Sequence, residues 1–160
     1  METVTKMGPC GGGGGTNRDM DVRAVNRIAR VLVRHGYAID AISCQYERDG
    51  VQEQTEDWGG TGGALSEIRL GPDEYLTGVK GHIGSFMFVT CLKSLTLVSN
   101  LRSYGPFGKE DGMEFTLSAP PGGRIIGFHG RSWWLLDAIG IYVKAWNLPP
   151  QKTKKDGERS

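Results

Sequence analysis

The chain has 160 residues, enough for one domain with a hydrophobic core, and its 25 glycines are about twice the usual share. Its formal net charge is +1, so no basic surface indicates a nucleic-acid partner or an anionic membrane. The three cysteines form no CxxC pair, and no apolar run approaches the roughly 18 residues of a membrane span, so we expect no metal, no cofactor and no membrane insertion.

In chain order, residues 1–7 are polar and predicted to be flexible. They are followed by short runs rich in branched and aromatic residues, separated by turns that contain glycine. The runs span 28–34, 39–46, 51–58, 66–70, 76–79, 87–89, 94–99, 114–117, 124–128 and 136–143. Such runs are typical of β-strands, and 94–99 alternates apolar with polar residues. We therefore predict one all-β domain over 8–147, and a disordered polar tail over 148–160.

A weak internal repeat organises these strands. Three segments, 7–22, 58–70 and 104–117, each combine a glycine-containing turn with a strand, and they alternate with three predicted hairpins, 30–46, 76–99 and 124–143. Within the hairpins AIDAISCQY and LLDAIGIYV nearly superpose, and CLKSLTLVS is a degenerate third copy. The period is about 48 residues, which is typical of repeated β-units. The repeat predicts about twelve strands with threefold pseudosymmetry.

Other interpretations of the same residues are weaker. The five glycines of 11–15 could form a flexible linker or a phosphate loop, but a phosphate loop needs a lysine directly before Thr16. The three histidines lie in different repeats with no nucleophile in a recognisable motif, so an enzyme is the weakest of the functional classes, and we expect no catalytic residues. Asp40 and Asp137 precede nearly identical strands and could simply cap turns.

The motifs GPCGGGGG, WGGTGG, YGPFG, GFHGRS and LLDAIGIYV occur in an order that resembles the jacalin-related lectins, in particular the unprocessed mannose-type branch of plants, with a monocot source expected. The resemblance implies a β-prism I fold of three four-stranded Greek-key sheets. It also implies sugar binding, without metal or chemistry, at loops on one end of the prism. The partners would be mannose- or glucose-type saccharides or glycoproteins, with a homodimer as the expected assembly.

The resemblance further implies two carbohydrate sites, each with a Gly-x-x-x-Asp-type loop opposed by a glycine-rich loop. The principal site would comprise Gly15, Trp133, Trp134, Leu135 and Asp137. The second site would comprise Gly36, Tyr37, Ala38, Asp40 and Gly63. In the principal site Trp133 stands where the family has glycine. We expect it either to adopt a strained positive φ, or to adopt a normal φ and reshape the loop. Its indole would fill the cavity or lie beneath a sugar.

The family resemblance makes plant defence or stress response the expected role. A galactose preference is less expected, because Gly15 lies within a continuous chain instead of carrying a freed amino group. The alternative function is a protein–protein interaction module on a prism with degenerate sugar loops, which the bulk of Trp133 favours. Unpaired cysteines favour a reducing compartment, so we expect a cytoplasmic or nucleocytoplasmic location.

Overall fold

A computed structural model describes residues 2–146, which form thirteen β-strands and no helix. The strands are β1 Glu2–Gly11, β2 Thr16–Asp19, β3 Val25–His35, β4 Ile39–Arg48, β5 Val51–Gln54, β6 Trp58–Gly59, β7 Ala64–Arg69, β8 Leu76–Phe86, β9 Val89–Ser99, β10 Ser103–Gly108, β11 Met113–Ser118, β12 Arg124–Ser132 and β13 Leu136–Trp146. Over this described span, nothing forms a helix long and apolar enough to cross a membrane.

The strands form three antiparallel sheets, each built around one hairpin. The first sheet has the order β1-β13-β12-β2, the second β5-β4-β3-β7 and the third β10-β9-β8-β11. In the second sheet β6 also pairs with β4, so β5 and β6 together occupy the place of one outer strand. The predicted all-β prism of three sheets with threefold pseudosymmetry is therefore confirmed.

This topology explains how a glycine loop comes to face a hairpin turn. In each sheet the hairpin supplies the two central strands, and the chain segment with the glycine loop supplies the two outer ones. The loop between the outer strands must therefore cross the end of the sheet, over the hairpin turn. Residues 11–15 cross the β12–β13 turn in this way, 59–63 cross the β3–β4 turn, and 108–112 cross the β8–β9 hairpin.

The core lies between the three sheets, and the central strands β4, β9, β12 and β13 are buried along most of their length. Branched residues dominate it, as expected for strands that pack on an apolar interior. The largest fully buried members are Ile39, Ile42, Leu76, Leu92, Leu95, Leu97, Ile125, Ile126, Phe128, Leu136 and Ile139. The glycine loops are held at the surface of this rigid interior, so their geometry depends on the hairpins beneath them.

Three local predictions were wrong. Residues 2–7, predicted to be flexible, lie in β1 and pair with β13, from Glu2 opposite Trp146 onwards. The predicted strand 51–58 is interrupted at 55–57, and the predicted strand 87–89 contains the two-residue turn between β8 and β9. β1 is an edge strand with little burial, so its polar residues carry no apolar alternation. The predicted disordered tail, 148–160, lies outside the described residues.

Candidate functional site

The three hairpin ends meet at one end of the prism. Ala38, Leu135 and Cys91 come from the three hairpins and are all fully buried in one small cluster, against which Phe86 packs. The turns that carry the predicted site residues are therefore neighbours. The 11–15 loop lies over one turn, and the 59–63 loop lies over another.

In the predicted principal site, Asp137 lies at the start of β13 and its side chain is buried. Within residues 2–146 its Oδ1 atom has no hydrogen-bond partner. The preceding turn is closed by the Trp133 N–H, which donates to the carbonyl oxygen of Leu135 at 3.1 Å. The Asp137 carbonyl accepts from the Gly12 N–H at 2.9 Å, which ties the first glycine loop to the base of the turn.

The first glycine loop approaches the carboxylate because it lacks side chains. Gly15 has a φ of +77°, and a Cβ atom there would lie 2.7 Å from the carbonyl carbon of Ser132, too close for any real side chain. A Cβ on Gly14 would lie 3.3 Å from Oδ2 of Asp137. Arg131 fixes the loop from outside, because its guanidinium donates to the carbonyls of Gly14 and Gly15 at 2.9 and 2.8 Å.

The predicted second site repeats this construction. The Gly36 N–H donates to the Ala38 carbonyl at 3.0 Å, and the Gly60 N–H donates to the Asp40 carbonyl at 2.9 Å. Gly63 has the same φ as Gly15, +77°, so it is the counterpart that the repeat predicted. A Cβ on Gly62 would lie only 3.0 Å from Oδ2 of Asp40. The structure thus brings the predicted residues together into two matching arrangements.

Of the two expectations for the backbone of Trp133, the strained positive φ was wrong, whereas the normal φ is found, without the reshaped loop that was expected to accompany it. Within the described chain the non-glycine residues with positive φ are Ala24, Asp49, Met87 and Phe88, and Trp133 is not among them. Its turn keeps the hydrogen bond found at Gly36, so the loop is not reshaped either. The indole is 73% exposed, which excludes that it fills the cavity. The indole can therefore contact a bound ligand only by lying beside or beneath that ligand.

The third repeat replaces the aspartate by a lysine. The Lys93 carbonyl accepts from the Lys109 N–H at 2.7 Å, which is the bond that Asp137 and Asp40 make in their repeats. The buried Lys93 ammonium lies 3.7 Å from Asp111, which stands where the other loops have Gly14 and Gly62. This hairpin also continues its ladder to the Phe86–Val89 pair. The third loop therefore has no free acidic group. Its hairpin also lacks the open turn that precedes Asp137 and Asp40.

The two aspartates share an electrostatic property. Burial raises the pKa of the Asp137 carboxyl, against the opposing effects of the Trp133 amide and the Arg131 charge. Burial likewise raises the pKa of Asp40, against the charges of His35 and Arg34. Desolvation disfavours the ionised form of a carboxyl group. Each carboxylate would therefore be stabilised by a ligand that supplies hydrogen-bond donors.

Each turn also borders the neighbouring glycine loop. A Cβ on Gly12 would collide with the carbonyl oxygen of Thr90, in the third hairpin. A Cβ on Gly60 would collide in the same way with the carbonyl oxygen of Trp134. The third hairpin therefore borders the principal site, and Trp134 of that site borders the second one.

Sequence reasoning missed several residues of these arrangements. Gly14 and Gly62 leave room for the carboxylates, Gly12 and Gly60 bond to the aspartate carbonyls, and Arg131 holds the first loop. Aligning the glycine loops of the repeats position by position, in addition to the hairpins, would have identified the four glycines. Arg131 has a counterpart in Arg34, which stands six residues before Asp40 and whose guanidinium donates to the Thr61 carbonyl at 3.5 Å, so the alignment of the two hairpins held a signal for it.

Two histidines have serine neighbours that no sequence motif indicated. His35 Nε2 lies 2.7 Å from Ser66 Oγ, and His82 Nδ1 lies 2.8 Å from Ser94 Oγ. Glu114 lies 3.8 Å from the other nitrogen of His82. Ser94 is only 1% exposed, so its hydroxyl is enclosed in the sheet and does not present a nucleophile.

No cluster of three or more histidine, cysteine or acidic side chains that could hold a metal ion occurs between residues 2 and 146. The oxygen atoms that face the glycine loops come from one carboxylate per loop, whereas calcium takes six to eight oxygen ligands. Neither arrangement has the donor set of a calcium site.

Comparison with known proteins identifies the family. The sequence profile of the jacalin-like lectin domain matches residues 7–142. The chain is 41% identical over 152 residues to jacalin-related lectin 19 of Arabidopsis thaliana, covering 92% of this chain and 82% of that one. It is 38% identical over 148 residues to horcolin of Hordeum vulgare, covering 89% and 99% of the two chains.

Solved structures support the same family. A mannose-binding jacalin-related lectin from Ananas comosus superposes with a TM-score of 0.82 at 40% identity, covering 88% of this chain and 96% of that chain. Malaysian banana lectin gives the same TM-score at 38% identity, covering 88% and 98%. The profile covers most of the chain, and the two carboxylate arrangements lie at one end of a three-sheet prism. The chain therefore belongs to the jacalin-related lectins, a family of carbohydrate-binding proteins that are not enzymes.

Proposed function

We propose that the protein binds glycans that carry mannose- or glucose-type residues, at one site on Asp137 and a second on Asp40. The observation that carries the proposal is the buried Asp137 carboxylate, whose Oδ1 atom has no partner within residues 2–146. A buried carboxylate oxygen that lacks a hydrogen-bond donor costs folding free energy. A pyranose supplies adjacent hydroxyl donors, and hydroxyl–carboxylate bonds belong to the strong, charge-assisted class.

The remaining residues fit the same ligand. Gly14 and Gly15 leave space beside the carboxylate, and the amides of Trp134 and Leu135 would donate to ring or hydroxyl oxygens. At the second site Gly63 and the amides of Tyr37 and Ala38 would act in the same way on Asp40. The sugar type is supported by relatives: the Ananas comosus structure is named as mannose-binding, and a Parkia pendula relative as mannose/glucose-specific.

Calorimetric titration with methyl α-mannoside tests the assignment. Wild-type protein is expected to show two sites, and Asp40→Ala and Asp137→Ala to show one each. Loss of a carboxylate that accepts two hydroxyl bonds should cost about 2–4 kcal/mol at its site. Asp73→Ala, in the exposed turn between β7 and β8, is the matched control and should titrate like wild type. Normal binding by the Asp40→Ala, Asp137→Ala double variant would exclude both sites.

A protein–protein interaction module is the second candidate function. The aromatic side chains exposed beside the two carboxylates, Tyr37 and Trp133, favour it. A glycan array separates the two functions. Retention of mannose-type glycans supports the lectin, whereas no binding to any glycan by folded protein supports the module.

The physiological setting is a further part of the proposal. Plant relatives support a role in defence or stress response, and three unpaired cysteines support a cytoplasmic or nucleocytoplasmic location. A homodimer is supported by the ten-residue edge strand β1. A fluorescent fusion in plant cells tests the location, and sedimentation of the purified chain tests the dimer.

A further inference from the structure

Five exposed apolar side chains are concentrated at the end of the prism that carries the two carboxylates. We call them the apolar tip: Tyr37, Met87, Phe88, Trp133 and Trp134. The half-buried Phe86 joins them, because its ring centroid lies 6.3 Å from that of Tyr37 and 6.2 Å from that of Trp134. Contiguous apolar surface of this kind is uncommon on soluble proteins and marks interaction sites.

The turn at the centre of the apolar tip is costly for folding. Met87 and Phe88 have φ values of 50° and 67°, a region that glycine and asparagine occupy far more readily than bulky residues. Phe88 is also fully exposed, so its ring gains nothing from packing in the described chain. Neither backbone preference nor burial therefore explains these two residues. A contact outside the chain would explain both.

The shape and chemistry of the apolar tip favour a lipid bilayer as that contact. Its side chains come from three hairpin turns, and Phe88 among them is fully exposed. Met87 and Phe88 form the β8–β9 turn, Tyr37, Trp133 and Trp134 come from the two neighbouring turns, and the Lys109 ammonium lies 5.7 Å from the Tyr37 ring centroid. Aromatic rings beside cations at the edge of an apolar surface are typical of proteins at the membrane interface.

We propose that the apolar tip enters the interfacial layer of a lipid bilayer whose glycolipid headgroups are held by Asp40 and Asp137. The sugar part rests on the proposed function, and the lipid contact goes beyond it. The two carboxylate loops supply Tyr37, Trp133 and Trp134, so a sugar held there brings the β8–β9 turn towards the surface that bears it. The lack of a membrane-spanning run, from which we expected no membrane insertion, does not oppose contact by a turn.

The central variant is Met87→Asn, Phe88→Gly. Asn-Gly is the preferred pair for a two-residue hairpin turn with positive φ at both positions, so the variant removes the apolar residues and preserves the turn. Leu101→Ser is the control, because Leu101 is a large exposed apolar residue beyond the far end of β9. Both variants are expected to bind soluble methyl α-mannoside like wild type.

The assay is flotation with phosphatidylcholine vesicles that contain a mannose-headed lipid. The turn variant is expected to bind the vesicles at least about tenfold more weakly than wild type, because a buried Phe and Met contribute apolar area in the bilayer. The Leu101→Ser control should match wild type. Lipids brominated near the top of the acyl chain should quench tryptophan fluorescence of bound wild-type protein.

The results of these assays distinguish a lipid bilayer from a longer glycan or a second copy of the chain as the molecule that contacts the apolar tip. Vesicle binding equal to wild type by the turn variant, with mannoside binding intact, would overturn the lipid contact. Loss of affinity for soluble mannose oligosaccharides would assign the apolar tip to longer glycans, and loss of self-association in sedimentation would assign it to a second copy. Both overturn the proposal. Failure of wild-type protein to bind any soluble mannoside would instead refute the proposed function.

Discussion

The Trp133 N–H donates to the carbonyl oxygen of Leu135 across 3.1 Å, and this bond closes the same turn that Gly36 and Ala38 close at 3.0 Å. The substitution of a glycine by the largest side chain therefore leaves the backbone of the loop unchanged. The difference between the two candidate sites lies in the exposed indole.

Trp133→Gly should weaken sugar binding at the principal site modestly. We expect the exposed ring to pack on one face of a bound pyranose, so its loss should cost about 1 kcal/mol of aromatic packing. Calorimetry on an Asp40→Ala background isolates the principal site. Trp146→Gly, which removes an exposed indole at the end of β13, is the control and should leave affinity unchanged. Equal affinity and sugar preference with and without Trp133 would show that the ring points away from the ligand.

Gly15→Ala should abolish binding at the principal site, whereas Gly13→Ala should not. Gly15 combines a φ of +77° with a Cβ position 2.7 Å from Ser132, so the loop must move away from Asp137. A Cβ on Gly13 meets nothing within 4 Å. Both variants lose one glycine from the same loop. Comparing them therefore separates the effect of a steric clash from the effect of a less flexible backbone. Titration on the Asp40→Ala background measures the effect, and similar affinities for the two would refute the close-approach argument.

Asp137→Asn should stabilise the ligand-free fold while it removes sugar binding. The wild-type carboxylate is buried with an unpartnered oxygen, and relieving its ionic desolvation should add about 1 kcal/mol at neutral pH. Thermal unfolding of the two proteins at pH 7 measures the difference. A variant that is much less stable than wild type would mean that the carboxylate has a structural partner.

The stability difference should also depend on pH in a defined direction. Because burial raises the pKa of Asp137 in the folded state, the folded protein holds this proton more tightly than the unfolded chain. Wild type therefore loses stability relative to Asp137→Asn as pH rises through that raised pKa, and regains it as pH falls. Sugar affinity should change in the opposite sense, because the ligand needs the ionised carboxylate. Unfolding and titration series across acidic pH test both signs.

Removal of divalent metal should leave mannoside binding unchanged. The candidate ligand set at each site is one carboxylate with backbone amides, which cannot provide the oxygen shell that calcium requires. Calorimetry before and after EDTA treatment, and again after calcium is restored, checks this. A requirement for calcium would refute the assigned binding mode.

The parts of the structure that sequence could predict are those fixed by local pattern. The strands of the hairpins follow from alternation and glycine turns, and both aspartate loops follow from the match between AIDAISCQY and LLDAIGIYV. Sequence could not predict β1, because its pairing partner, β13, lies at the opposite end of the chain. Nor could it predict the φ of Trp133, which is set by a hydrogen bond within the turn.

The pairing of Glu2 with Trp146 also constrains the order in which the protein can assemble. The second and third sheets use strands that are contiguous in the chain, from Val25 to Arg69 and from Leu76 to Ser118. Both can therefore pair during synthesis, before the last hairpin leaves the ribosome. The first sheet must wait for β12 and β13, and its closure joins segments with the largest sequence separation in the fold. A ribosome-bound intermediate would thus present a formed Asp40 loop before the Asp137 loop exists.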